Sequence, residues 1–69
     1  MRKFAVCITK GSQERIVSTH LTRQEAMENG EKVNEQITRA EGIVSCISAD
    51  FDEDGNRTDN KSRLYHAWL

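Results

Sequence analysis

The sequence predicts an α+β fold: one two-layer ββαββ domain over residues 1–69, with a four-stranded antiparallel sheet in the order 2-1-3-4 and one helix packed on one face. Three observations lead there. Four short runs alternate apolar and polar residues with the period of two that marks a strand. One stretch between the second and third runs repeats its apolar residues every three or four positions, as a helix does. Polar bends separate the first run from the second and the third from the fourth, which makes two hairpins.

The first strand is predicted over Lys3 to Thr9, where Phe4, Val6 and Ile8 share one side and Ala5, Cys7 and Thr9 the other. The second runs from Glu14 to Leu21 and is rich in β-branched residues. Between them Gly11-Ser12-Gln13 reads as the bend. With a loop over residues 11–14, Phe4 stands opposite Leu21, Val6 opposite Thr19 and Ile8 opposite Val17. That register gathers the bulky groups on one face.

Thr22 and Glu25 form T-x-x-E, a capping box in which each side chain bonds the other's backbone N–H. Leu21 before the cap and Ala26 within the first turns suit a small hydrophobic staple. Ala26, Gly30, Val33, Ile37 and Ala40 then form one helical stripe, and Gly42 supplies the stop. Glu28 and Lys32, and Glu35 and Arg39, are charge pairs in the favourable i,i+4 order. Gly30 lies on the stripe itself, where glycine costs about 1 kcal/mol relative to alanine. Close approach of the helix to the sheet would compensate.

The third strand is predicted over Ile43 to Asp52, with Ile43, Ile47, Ala49 and Phe51 on one side and Val44 and Cys46 on the other. The fourth runs from Ser62 to Leu69. Setting Ile43 opposite Trp68 also sets Ile47 opposite Leu64, Val44 opposite Ala67, Cys46 opposite Tyr65 and Asp50 opposite Lys61. Apolar then meets apolar and charge meets opposite charge. A right-handed crossover from the second strand to the third brings the third beside the first, and the 2-1-3-4 order follows.

A chain of 69 residues buries only about 60% of its unfolded surface. Cores of this size supply roughly 3–5 kcal/mol, and natural examples add disulfides, a metal or a second subunit. Only two cysteines are present. Met1-Arg2-Lys3 is followed by too few apolar residues for a secretory h-region, so the expected compartment is the cytosol, where thiols stay reduced. No apolar stretch approaches the length that crosses a bilayer. The net charge is −1, divided as +3 over residues 1–22 and −2 over each of 23–41 and 42–69. A protein that lives on phosphate contacts carries a stronger basic stripe than this.

A single helix covers one sheet face, expected to hold Phe4, Val6, Ile8, Val17, Leu21, Ile43, Ile47, Leu64 and Trp68. The opposite face then receives Ala5, Cys7, Ile16, His20, Val44, Cys46, Tyr65 and Ala67. A face left to water normally alternates to strongly polar residues, and this set does not. Contiguous apolar patches mark contact surfaces. The expectation is therefore a non-enzymatic interaction module that self-associates, with a twofold homodimer as the commonest arrangement, and that works by binding another protein.

Other chemistries find weaker support in the residues. Asp50, Asp52, Asp54 and Gly55 match the start of an EF-hand calcium loop, but the twelfth position, which needs a bidentate glutamate, is Lys61. The flanks read as strands, and Asp54-Gly55-Asn56 is good hairpin chemistry, so a polar bend is expected, with a weak cation site at the three aspartates as the alternative. Cys7, Cys46 and His20, on one face of neighbouring strands, could supply three zinc ligands, but no C-x₂-C or H-x₃-H spacing supports it. Tyr65, His20, Arg63 and Arg15 could make a stacking surface for single-stranded nucleic acid on a protein that is otherwise slightly acidic. Glu25, Glu28, Glu31 and Glu35 form an acidic helix face that is ordinarily only solvated. No nucleophile with a base beside it, no phosphate loop and no cofactor motif stands out.

Overall fold

The computed structural model describes residues 1–58 and 62–69. Strands β1 (Arg2–Lys10) and β2 (Gln13–His20) form the first hairpin; helix α1 (Arg23–Gln36) and a single 3-10 turn (Arg39–Glu41) follow; β3 (Ile43–Asp50) and β4 (Arg63–Trp68) complete the chain. The sheet is antiparallel throughout, in the order β2-β1-β3-β4, with α1 against one face. The predicted α+β architecture and strand order are those observed.

The first hairpin closes through Gly11 and Ser12 alone, because Lys10 pairs with Gln13. Gly11 takes φ 62° while Ser12 keeps a negative φ, the combination a type II′ turn uses to match strand twist. This tighter turn moves the register beside it two residues from the expected one, so that Ile8 faces Arg15 instead of Val17; past a bulge the offset is one, and Phe4 faces His20 instead of Leu21 and Val6 faces Ser18 instead of Thr19. At the bulge Cys7 faces Ile16 and leaves Val17 as the extra residue. Bulges on edge strands are common because one side of the strand is free to bend. Val17 and Leu21, expected beneath the helix, are consequently exposed, and Leu21 makes no buried staple.

The helix begins as expected. Thr22 is extended and its Oγ1 accepts from the Glu25 N–H at 3.2 Å, satisfying one of the free donors of the first turn. It ends earlier than the stripe suggests. Ile37 turns extended and packs its side chain on the core beneath the helix, and Gly42, at φ 131°, closes the 3-10 turn and not α1. Ala40 is exposed, and Arg39 lies outside α1, so the helical Glu35–Arg39 pairing does not apply.

The largest correction concerns β3. Val6 pairs with Cys46 and Ile8 with Val44, so Val44 and Cys46 face the helix. Ala5 pairs with Ile47 and Thr9 with Ile43, which turns Ile43 and Ile47 to the other side. The reason lies in the helix. Its buried residues are Ala26 and Gly30, and it comes so close that a β-carbon on Gly30 would stand 3.1 Å from Cys46 Sγ. A small thiol fits there and donates to the Ala26 carbonyl at 3.6 Å; a branched isoleucine would overfill the space.

In β4 the expected match of Ile47 with Leu64 holds, but a bulge then intervenes: Cys46 faces His66, Ser45 faces Ala67 and Val44 faces Trp68. Tyr65 is the extra residue. It packs with Trp68 on the helix side, together with Phe4, Met27, Val33 and Ile37. The expected meeting of Asp50 with Lys61 lies outside the described residues; Asp50 pairs with Arg2 in the sheet, and their side chains approach to 3.6 Å.

Candidate interaction face

The sheet separates two cores. On the helix side lie Val6, Ile8, Val44, Cys46 and Ala26. On the other side Ala5, Cys7, Ile47, Ala49 and Phe51 make a second cluster, buried although no helix lies over it. Phe51 follows the end of β3 and continues its pairing, since its N–H donates to the Met1 carbonyl at 2.8 Å and the Met1 amine donates to its carbonyl at 2.9 Å. Its ring thereby stays on the face of Ala49 and Ile47.

Beyond Phe51 the chain turns back on itself. Phe51 and Arg57 form an antiparallel bridge, and the bend between them is held by Asp52, whose Oδ1 accepts from the backbone N–H of Asp54 at 2.9 Å and of Asn56 at 2.8 Å. This is an Asx arrangement, in which a carboxylate does the work of a turn carbonyl. Asp50, at the strand end, has Arg2 beside it. Among the described residues no three His, Cys, Asp or Glu side chains converge as metal ligands.

Arg57 then reaches across the open face. One guanidinium nitrogen donates to Glu14 Oε1 on β2 at 2.9 Å and the other to Ser62 Oγ at 2.8 Å. The outer face is thus closed at one end by Phe51 and tied across by Arg57. Beside this tie lies a groove of about 290 Å³ lined by Thr9, Glu14, Ile43, Ser45, Ile47, Ser62, Leu64 and Ala67. Its floor is Ile47, Ala67 and the buried Ser45; Ile43, 40% exposed, and Leu64, 64% exposed, stand at its margin. Ile16, 38% exposed, lies on the same face next to Cys7.

The set expected on this face is therefore divided. Ala5, Cys7, Ile16 and Ala67 are there. Val44, Cys46, Tyr65 and His20 are on the helix side, and Ile43, Ile47, Ala49, Phe51 and Leu64 replace them. The reversed face of β3 accounts for most of the difference, exchanging Val44 and Cys46 for Ile43, Ile47, Ala49 and Phe51; the bulges in β2 and β4 account for His20, Tyr65 and Leu64, because each reverses the side-chain alternation beyond it. Alternation in the sequence carries no mark of where an extra residue is inserted.

The division disposes of the zinc arrangement, since Cys7 and Cys46 lie on opposite faces; both are free thiols. It also dismantles the stacking surface. Tyr65 meets Phe4 edge to face at 5.8 Å, and the Arg23 guanidinium caps its ring at 4.6 Å, so that ring is occupied within the protein. His66 is similarly engaged with Trp68 at 4.4 Å.

One pairing escapes any reading of spacing. Ser18 Oγ lies 2.9 Å from His20 Nε2, and Asn29 Nδ2 of the helix donates to the same Oγ at 2.7 Å. A serine with a histidine at hydrogen-bond distance is the beginning of a nucleophilic site. Here, however, the amide of Asn29 takes up a lone pair of the hydroxyl that would attack. The trio ties α1 to β2. The acidic residues Glu28, Glu31 and Glu35 line a shallow, open depression with Lys32 between them.

No helix among the described residues is long and apolar enough to cross a membrane. Comparison with protein-family models, curated proteins and solved structures found no match.

Proposed function

We propose that the protein is a non-enzymatic interaction module that pairs with a second copy of itself through the open sheet face, and that acts by binding another protein. One observation carries this reading. The same face bears both an apolar groove and, at its margin, a leucine that is 64% exposed. A twofold contact brings the same patch of both copies together, so a knob and a hole on one face can serve each other reciprocally. Leu64 of each copy would enter the groove of the other, over Ile47 and Ala67, with Ile43 and Ile16 at the edges. The ion pair of Glu14 with Arg57 leaves the border of the groove locally neutral, which lowers the cost of closing it. A chain of this size gains from the added burial. Two buried thiols held free suit the reducing cytosol.

Sedimentation equilibrium from micromolar to several hundred micromolar protein tests it. The wild type should fit a monomer–dimer equilibrium and Leu64→Asp should remain monomeric with unchanged circular dichroism. A wild type that stays monomeric over the whole range removes self-association.

A further inference from the structure

We infer that residues 52–58 form a strap over the outer core, latched by Arg57, that swings away from the sheet while the helix-side core stays folded. The two cores have no member in common and the sheet lies between them, so one can open without the other. The strap's own bonds are mostly internal: Asp52 with Asp54 and Asn56, and Gly55 N–H with the Asp52 carbonyl at 3.1 Å. These survive if the strap moves as a unit.

Among the described residues, few bonds tie it to the rest. The Thr58 N–H donates to the Asp50 carbonyl at 2.9 Å, next to the hinge. Away from the hinge the hold is the Arg57 fork, to Glu14 and to Ser62. Glu14 is 43 positions away in sequence and belongs to the edge strand, so among the described residues this contact joins the strap to β2. Both partners of the ion pair are about one-third exposed, at 30% and 38%, and an ion pair in that position is a weak tie. On the face it crosses, Ala5 and Cys7 have no exposed surface. Arg57 and Glu14 also act on the Cys7 thiol in opposite senses, Glu14 raising its pKa and Arg57 lowering it. Opening would convert the groove into a wider apolar face floored by Ala5, Cys7, Ile47 and Ala49. The inference does not rest on self-association; it holds for a monomer as well.

The two thiols make the test internal, because one lies under the strap and the other under the helix. In a Cys46→Ala background, the rate at which Cys7 reacts with an aromatic disulfide reagent under native conditions reports strap opening. Arg57→Ala should raise that rate roughly tenfold, the scale of losing one exposed ion pair and one hydroxyl bond. The reversed pair, Glu14→Arg with Arg57→Glu, should restore slow labelling. In a Cys7→Ala background, Arg57→Ala should leave the labelling of Cys46 unchanged. Equal rates for Cys7 with and without Arg57 overturn the inference. So does an equal acceleration of both thiols, which would mean that the variant merely unfolds as a whole.

Discussion

A β-carbon on Gly30 would stand 2.5 Å from Cη2 of Trp68, so the helix backbone and the indole are in direct contact. The collision explains a glycine in the middle of a helix, where it otherwise weakens the element. Replacing Gly30 with alanine gains about 1 kcal/mol of helix propensity, but overpacking a filled site costs about 1–3 kcal/mol. The expected net effect is a loss of about 1 kcal/mol on urea denaturation. In a Trp68→Leu background the collision with the indole is gone and only the tight 3.1 Å approach to Cys46 Sγ remains, so the same substitution should cost less or become neutral. A clear stabilisation in the wild-type background would mean that the indole yields without cost.

Much of the scaffold was legible because local chemistry dictates it. The Thr22 cap, the alternation of β1 and the close approach at Gly30 each follow from a few neighbouring residues. The faces of β3 were not. Ile43, Ile47, Ala49 and Phe51 form the larger apolar set, and size alone assigns them to the helix. The helix instead selects the smaller set, since Ala26 and Gly30 leave room only for Cys46 and the edge of Trp68. The larger set finds its own cluster on the outer face, where Ile47, Ala49 and Phe51 pack with Ala5 and Cys7. The Arg57–Glu14 contact spans 43 positions and has no local signature. Nor do the bulges at Val17 and Tyr65, which turn His20 and Tyr65 to the helix side and Leu64 to the outer face.

Tyr65 pays for its bulge. Its hydroxyl is shut off from solvent and has no hydrogen-bond partner among the described residues; Cys46 Sγ is close but donates to the Ala26 carbonyl instead. Burial, with the neighbouring thiol adding to it, pushes the phenol well above its ordinary range. Leaving a buried polar group unpaired costs about 1–3 kcal/mol, so removing it should help. Tyr65→Phe should be neutral or stabilising by up to about 1 kcal/mol in chemical denaturation, with the Phe4 and Arg23 contacts retained. A loss above about 1 kcal/mol would show that the hydroxyl is bonded in solution.

The acidic bend can be tested through Asp52. Its Oδ1 holds two backbone N–H groups, at 2.8 and 2.9 Å, in an exposed turn. Asp52→Asn keeps an oxygen acceptor and should cost only a few tenths of a kcal/mol, whereas Asp52→Ala should cost about 1 kcal/mol. Because that oxygen is committed to the turn, millimolar calcium should leave the melting temperature of the wild type unchanged. A rise in Tm with calcium that Asp52→Asn abolishes would instead identify the aspartates as cation ligands.

Cys7 contributes to the loss of stability at alkaline pH. Burial pushes its thiol from the ordinary 9.0 up to about 11, with Glu14 adding to the rise and Arg57 opposing it. Burial also raises Cys46, in the other core. Between these two values the unfolded chain releases the Cys7 proton and the folded chain keeps it. The folded state therefore binds more protons, and stability falls as pH rises. The contribution is complete below pH 9.0 and is lost progressively as pH climbs through about 11. Melting temperatures measured from neutral pH upward should decline more steeply for the wild type than for Cys7→Ala, where that site has no proton to lose. Other groups titrate in the same range, so the informative quantity is the difference between the two curves. If the curves run parallel above pH 9, the thiol is already open to water in the folded protein, and the outer core is not closed over it.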